Sequence, residues 1–377
     1  MSARSARSQK YPEIGEEQIA LLERLCNACA VSGDEGEVRQ IVLEQIRTHA
    51  DEVRVDALGN VLAVHHGQDV QDGKGIRVML DAHMDEVGFM LTNDEGDGLF
   101  RFDLVGGLDE RQLVGKPVWI GNDHVPGVIG AKPIHLTTKE ERKRSISLDT
   151  LRIDTGLGGD KKVKVGDRAT FATPFTLIGP SLLAKALDDR LGVATLIELL
   201  KNAPPNVELL AAFTVQEEVG LRGARVAAYA LEPDLAIAID STPALDLPVW
   251  EEAGEAVGEP VENTRYNTRL DGGPAIYVAD RGTLADPRLN RHLVETAETL
   301  GIPYQYRQPG GGGTDAGAIH LARAGIPSTS VSIPGRYAHT AAGLARLSDW
   351  QNTFALLQAA LARLTPDILS SERANQL

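Results

Sequence analysis

Apolar positions along the chain repeat with two different periods. Over residues 16–31 (EEQIALLERLCNACAV) and from about 35 to 50 they recur every three or four positions, which predicts two amphipathic helices. Asp56-Ala57-Leu58-Gly59-Asn60 then reads as a turn leading into a short strand, VLAVHH. Four later runs are almost continuously apolar: IRVMLDA (76–82), VELLAAFT (207–214), DLAIAID (234–240) and PSTSVSI (327–333). Short runs of that kind, without alternation, fit strands covered on both faces in a parallel sheet. Helical patterns lie between them: LGVATLIELLKN just after Asp188, a helix after Asp286 with Pro287 in its first turn, TDAGAIHLARA, and a last one from about Ser348 to Leu364. Strands alternating with helices predict an α/β fold, a mixed and mostly parallel sheet with helices on both faces.

Residues 92–177 interrupt this rhythm. LFRFDLVGG, KPVWIG, VPGVIGA, TLRID and RATFATP are short, β-branched and punctuated by turns, and the only helical candidate is the charged run TTKEERKR. The expected organisation is therefore a catalytic α/β domain in two parts, 1–91 and 178–377, with a small all-β domain (92–177) inserted between them. A β domain grafted between two strands leaves edges to cover, and pairing with a neighbouring subunit would cover them. The insert is accordingly expected to serve assembly.

Composition narrows the function classes. The net charge of -15 disfavours nucleic acid and anionic membrane surfaces as partners. No apolar run reaches the roughly 20 residues that span a bilayer. The first ten residues, MSARSARSQK, lead into no apolar segment and read as a disordered tail rather than a signal peptide. The only two cysteines, Cys26 and Cys29, exclude a disulfide scaffold and point to the cytoplasm. Their CxxC spacing allows redox or metal chemistry, but inside a helical pattern it reads as two small residues packing on one face.

The chemistry lies where acidic and histidine residues meet the buried strands, since ligands of open α/β sheets bind beyond the carboxyl ends of the strands. Strand 76–82 runs into His83-Met84-Asp85-Glu86, and strand 207–214 into Gln216-Glu217-Glu218. Strand 234–240 ends on Asp240, strand 327–333 leads to His339, and Asp188 precedes a helix. Each alone has a plain reading: helix cap for Asp188, turn former for Asp240, solvated strand end for the glutamates, structural histidine for His83 or His339. Together at one edge they form a nitrogen and oxygen donor set that suits zinc, cobalt or manganese. Asp85, two positions from His83, faces the same way and can accept its second N–H. Of adjacent Glu217 and Glu218, one can hold metal while the other serves as general base.

The motifs HMDEVGF, KALDDRLG, TVQEEVGLRGA, AIAID, GGGTDAG and GRYAHT, in this order, resemble the tetrahedral-cage and glutamyl aminopeptidase family, the forty-second family of metallopeptidases. VSGDEGEVR, DALGNVLAV, LVGKPVWIG, GVIGAKPIHL, LRIDTG and VGDRATF extend the resemblance over about 17–364. It implies a zinc-exopeptidase-like fold holding two divalent ions, zinc or cobalt, that removes the N-terminal residue from short peptides. It also implies that His83 and Asp240 bind one ion, Glu218 and His339 the other, and that Asp188 bridges them. Glu217 would be the general base and acid, and Asp85 would orient His83. Many members assemble as dodecameric tetrahedral cages, so a homo-oligomer is expected. Where many carry a glutamate four residues after the last histidine ligand, this chain has Gly343. Weaker candidates for substrate contact are Thr314 and Asp315 after the glycine run, Arg336, and His135 of the insert. Competing readings are a deacylase working on a small metabolite at the same metal pair and a non-catalytic scaffold. A glycosidase carboxylate pair would need neither histidine.

Overall fold

A computed structural model describes residues 13–70, 75–247 and 268–370; the tail expected at 1–10 lies outside them. Helix α1 (Glu16–Asn27) starts with Glu16 and Glu17 against the positive end of the helix dipole and buries Leu21, Leu22, Leu25 and Cys26. Its periodicity continues through Cys29, but the backbone turns extended at Ala28. Cys29 therefore leaves the helix and stands half-buried beyond it, so the expected packing of both cysteines on one helical face holds only for Cys26. Helix α2 (Gly36–Ile46) follows, then the hairpin of β1 (Glu52–Val55) and β2 (Val61–His65), then β3 (Ile76–His83).

The next six strands form a closed barrel: β4 (Gly88–Gly96), β5 (Leu99–Val105), β6 (Pro117–Ile120), β7 (Val125–Gly130), β8 (Arg152–Asp154) and β9 (Arg168–Phe171). It surrounds its own core of Phe89, Phe100, Phe102, Ile120, Ile129, Ile153 and Phe171, with Phe89 edge-on to Phe102 and Phe171 at 5.2 Å. Closure leaves no free strand edges, which removes the edge-pairing argument for assembly. The charged run at 137–144 contributes one 3₁₀ turn, Glu141–Lys143.

After β10 (Thr176–Ile178) and β11 (Ser181–Ala184) the α/β pattern resumes. Helix α3 (Leu187–Lys201), β12 (Val207–Thr214), α4 (Arg222–Leu231) and β13 (Leu235–Pro243) lead to β14 (Ala275–Tyr277), α5 (Pro287–Leu300) and β15 (Gln305–Arg307). Helix α6 (Ala316–Ile319), β16 (Ser328–Arg336), β17 (Gly343–Arg346), α7 (Leu347–Arg363) and α8 (Asp367–Ser370) complete the described chain. All strands outside the barrel join one mixed, 11-stranded sheet. Its centre, in the order β12-β3-β13-β16, is parallel, and antiparallel strands flank it. Alternate residues of the central strands face opposite cores. Val78, Leu80, Leu209, Ala211 and Phe213 pack with α1, α2, α3, α5 and α7, whereas Met79, Leu210, Ala212 and Ala236 pack with α4 and α6. Helices thus cover both faces.

Two helix expectations change. The helix expected over TDAGAIHLARA shrinks to the single turn α6. Helix α4, whose inward face is Gly223, Ala224, Ala227, Ala228 and Leu231, was not among the expected helices, although its apolar positions do recur at helical spacing.

Candidate metal and active site

The four parallel strands end together, and their carboxyl ends deliver the candidate residues. His83 closes β3, Glu217 and Glu218 follow β12, Asp240 lies in β13, and His339 follows β16. Asp188 enters from the first turn of α3, where the backbone is not yet helical. Its side chain does not cap the helix; the Asp189 carboxylate takes that role by accepting the Gly192 N–H at 3.0 Å.

Donor atoms converge around Asp188. Its Oδ1 lies 3.2 Å from His83 Nε2, and its Oδ2 lies 3.5 Å from His339 Nε2. Asp240 Oδ1 is 3.9 Å from His83 Nε2, and Glu218 Oε2 is 3.3 Å from His339 Nε2. One carboxylate thus faces two imidazoles, each of which has a further carboxylate beside it. Burial pushes Glu218 up to about 7, the negative charge of Asp188 adding to the effect. Burial also raises Asp240, again with Asp188 and Asp189 as repelling neighbours. The Asp189 carboxylate approaches His83 and Asp240 within 4.8 Å, and its Oδ2 is buried without a hydrogen-bond partner among the described residues. Such crowding of carboxylates around two imidazoles fits divalent cations, which accept both donor types and offset the repulsion.

Each imidazole is oriented from its other side. His83 Nδ1 donates to the Asp85 carbonyl at 3.1 Å, with the Asp85 carboxylate farther at 3.5 Å. That carboxylate is occupied elsewhere: it accepts from Ser32 Oγ (2.6 Å), Glu217 N (2.9 Å) and Glu218 N (3.2 Å). Asp85 therefore positions the two glutamates as much as it positions the histidine. His339, in the left-handed region at φ 55°, donates from Nδ1 to the carbonyl of Gly107 at 2.9 Å. Gly107 belongs to the loop after β5, so the barrel supplies this support through its backbone. A Cβ at Gly107 would stand 3.3 Å from His339 Nδ1, which explains a residue without a side chain there. Gly343 lies in β17 opposite Ala184 and, without a side chain, lines a small cavity that it shares with His339, Asp188 and Glu218.

Beneath this layer, Arg190 of α3 donates to the carbonyls of Met84 and of Asp85 (3.3 Å) and to Glu86 at 3.1 Å. Glu86 also takes Lys185 at 2.9 Å, the Ala30 N–H at 3.0 Å and the barrel's Thr170 hydroxyl at 2.7 Å. Burial works to raise the Glu86 carboxyl, yet Lys185 and Arg190 outweigh it and hold it below the usual range. The sequence reading gave no role to Glu86, Lys185, Arg190, Asp189, Ser32 or Gly107. Asp189 and Glu86 stand beside named residues, and adjacency was the only signal available.

His83, Asp188, Glu217, Glu218, Asp240 and His339 line one cavity of about 900 Å³, whose outer wall includes Tyr277, Arg281, Arg307 and Gly311–Gly313. None of the weaker candidates lines this cavity, although Arg336 borders a smaller adjoining one together with Asp188, Glu218 and His339. Thr314 is buried against Ser330 at 2.6 Å, and Asp315 accepts from Thr214 at 2.7 Å beneath the cavity floor. Arg336 is held by Asp246 at 2.7 Å. His135 is exposed on a 3₁₀ turn of the barrel and does not line the cavity.

A site of this kind at a parallel sheet edge defines a metal-dependent hydrolase, and comparison with known proteins specifies which. The family described as M42 glutamyl aminopeptidase matches residues 59–356. A proposed aminopeptidase of Acetivibrio thermocellus is 38% identical over 351 residues, 92% of this chain and 99% of that protein. The aminopeptidase APDkam598 of Desulfurococcus kamchatkensis shares 35% identity and superposes with a TM-score of 0.85 over 94% of this chain and 96% of its own. The Pyrococcus horikoshii TET1 peptidase, which assembles into a tetrahedron or a large octahedral shell, shares 31% identity with a TM-score of 0.77, covering 92% of this chain and 100% of its own. The chain belongs to the M42 glutamyl aminopeptidase family and is a hydrolase that removes residues from the N-terminus of peptides.

Proposed function

We propose that the substrates are short peptides and that the cofactors are two divalent ions, zinc or cobalt, with manganese as a further choice. His83 and Asp240 would hold one ion, Glu218 and His339 the other, with Asp188 between them. The observation that carries this assignment is the split of Asp188, one oxygen toward each histidine. When bound, such ions lower the pKa of water toward neutrality and offset the negative charge that develops on the peptide carbonyl.

Glu217 supplies the proton transfers. It lines the cavity, makes no ion pair among the described residues, and has its backbone fixed by Asp85. Burial raises its carboxyl well above the ordinary carboxylate range, the direction that suits a group that both takes up and gives back a proton. It takes the proton from the attacking water and returns it to the departing amine. The surrounding carboxylates give the substrate's α-ammonium an acidic environment, which favours attack at the first peptide bond. Glu217→Gln keeps the shape but cannot accept the proton. Turnover is expected to fall by about 10²- to 10⁴-fold with metal content unchanged. Loss of one ion per chain in this variant, read by atomic emission, would exchange the roles of the two glutamates.

The barrel is assigned to assembly of a homo-oligomer. Support comes from the shells formed by the Pyrococcus horikoshii relative and from the exposed Ile134, Leu136 and Leu157 on the barrel. A dodecamer is the form proposed, and the cytoplasm the compartment. No helix among the described residues is long and apolar enough to cross a membrane.

A further inference from the structure

Away from the active site, three side chains with different donor chemistry meet where the barrel rests on the helices. Cys29 stands just beyond α1, Glu37 lies in the first turn of α2, and His124 closes the hairpin between β6 and β7. One ligand atom from each lies within 4.8 Å of the others, and all three residues are half-buried. We propose that Cys29, Glu37 and His124 form a separate metal site for a single borderline-soft divalent ion such as zinc, clipping the barrel to the first helices of the catalytic domain.

The geometry favours a built site over a chance encounter. Glu37 Oε2 accepts the Cys29 backbone N–H at 3.0 Å, which brings the carboxylate onto the cysteine. Its other oxygen lies 2.6 Å from His124 Nε2. The His124 ring is stacked on Trp119, with centroids 5.7 Å apart and planes at 16°, so its nitrogen is held toward Glu37. An imidazole nitrogen against a carboxylate oxygen is also the arrangement around Asp188. Of the neighbouring cations, Arg24 is engaged by Glu44 at 2.9 Å, and Lys185 and Arg190 by Glu86 at 2.9 and 3.1 Å. A cleft lined by Arg24, Asn27, Asp34, Gln40 and Asn122 opens on the Glu37 side of the cluster, from which water could reach an ion as a fourth ligand. Sulfur, nitrogen and oxygen in one set favour zinc or cobalt over magnesium or calcium. Binding exchanges the Cys29 thiol proton for the ion, and the proton passes to solvent. The segment from Cys29 continues to Ala30, held by Glu86, and Ser32, held by Asp85, so the clip anchors the strip of chain that borders the active site.

The two metal sites differ in one chemical respect, and the test uses it: the active site has only nitrogen and oxygen donors. The full-length protein is freed of metal, loaded with excess cobalt(II), and read for sulfur-to-cobalt charge-transfer absorption in the near ultraviolet. Wild type is expected to show this absorption and to lose it in Cys29→Ser and in His124→Asn. Cys26→Ser should keep it, and all three variants should retain peptidase activity. Absence of the band from active, cobalt-saturated wild type would overturn the proposal. So would its persistence in Cys29→Ser, or its loss in Cys26→Ser alone. His124→Asn lies on a surface hairpin outside the helices, so a folding defect of Cys29→Ser would not obscure the answer.

Discussion

Asp188 turns its two oxygens toward two histidines far apart in the chain, His83 at the end of β3 and His339 in the turn after β16. Removing it takes a donor from both proposed ions and the charge that shields one from the other. Asp188→Ala is therefore expected to lose both ions and all detectable activity, whereas Asp240→Ala should lose one. Metal analysis after exhaustive dialysis distinguishes them, and two retained ions in Asp188→Ala would refute the bridge. At this scale much of the candidate site was legible in the sequence. His83, Asp188, Glu217, Glu218, Asp240 and His339 end on the same cavity because strands end where an α/β sheet binds ligands, and apolar runs mark where strands end. Thr314 and Asp315 lie off the main cavity because a polar residue beside a glycine run can equally turn inward, and Arg336 is tied to Asp246 where it borders a smaller cavity with Asp188 and His339. Their partners Ser330, Thr214 and Asp246 are distant in sequence and give no local sign. The Gly107 carbonyl is a backbone atom, so no residue type marks it.

Among the elements, the segment after β3 is the most heavily tied. Glu86 meets Lys185, Arg190, Thr170 and the Ala30 backbone, joining β3, α3, the barrel and the α1–α2 linker through one carboxylate. Removing that carboxylate leaves two buried cations without their partner. Glu86→Ala is expected to cost about 3–5 kcal/mol, enough to lower the unfolding midpoint in urea well beyond a surface substitution. The sign of the pH effect follows from its lowered pKa. Stability from Glu86 is complete above the unfolded value of about 4.3 and is lost as pH falls through the lower folded value. Glu86→Gln should therefore be less stable than wild type at neutrality, and the gap should narrow in acid. A gap independent of pH would show that the charge contributes nothing. Apolar runs identified the central strands, but the same criterion overlooked α4, whose buried face is mostly alanine, and lengthened α6. The short flanking strand β10, Thr176-Leu177-Ile178, is largely apolar yet exposed along its length and too short to show a period.

For the whole molecule, the barrel's closed circuit of hydrogen bonds means that the assembly proposed for it would use its side chains rather than strand edges. Light scattering of the metal-loaded protein should report a particle many times the 40.4 kDa chain. Replacing Ile134, Leu136 and Leu157 with serine should shift it toward smaller species without touching the cavity. A monomeric wild type that still cleaves peptides would remove the assembly claim and leave the metal site standing.

The place where the barrel interrupts the sheet also sets an order of events as the chain is made. Strand β3 leaves the ribosome early, yet both of its hydrogen-bonded neighbours, β12 and β13, lie beyond the barrel in sequence. The barrel has local pairings and its own core, so it consolidates first, while β3 waits unpaired. In refolding followed by pulsed hydrogen exchange, the amides of Phe89 and Ile120 should gain protection before those of Val78 and Leu80. A nascent chain halted after β9 would hold a finished barrel beside a bare apolar strand, the state in which this protein most needs a chaperone.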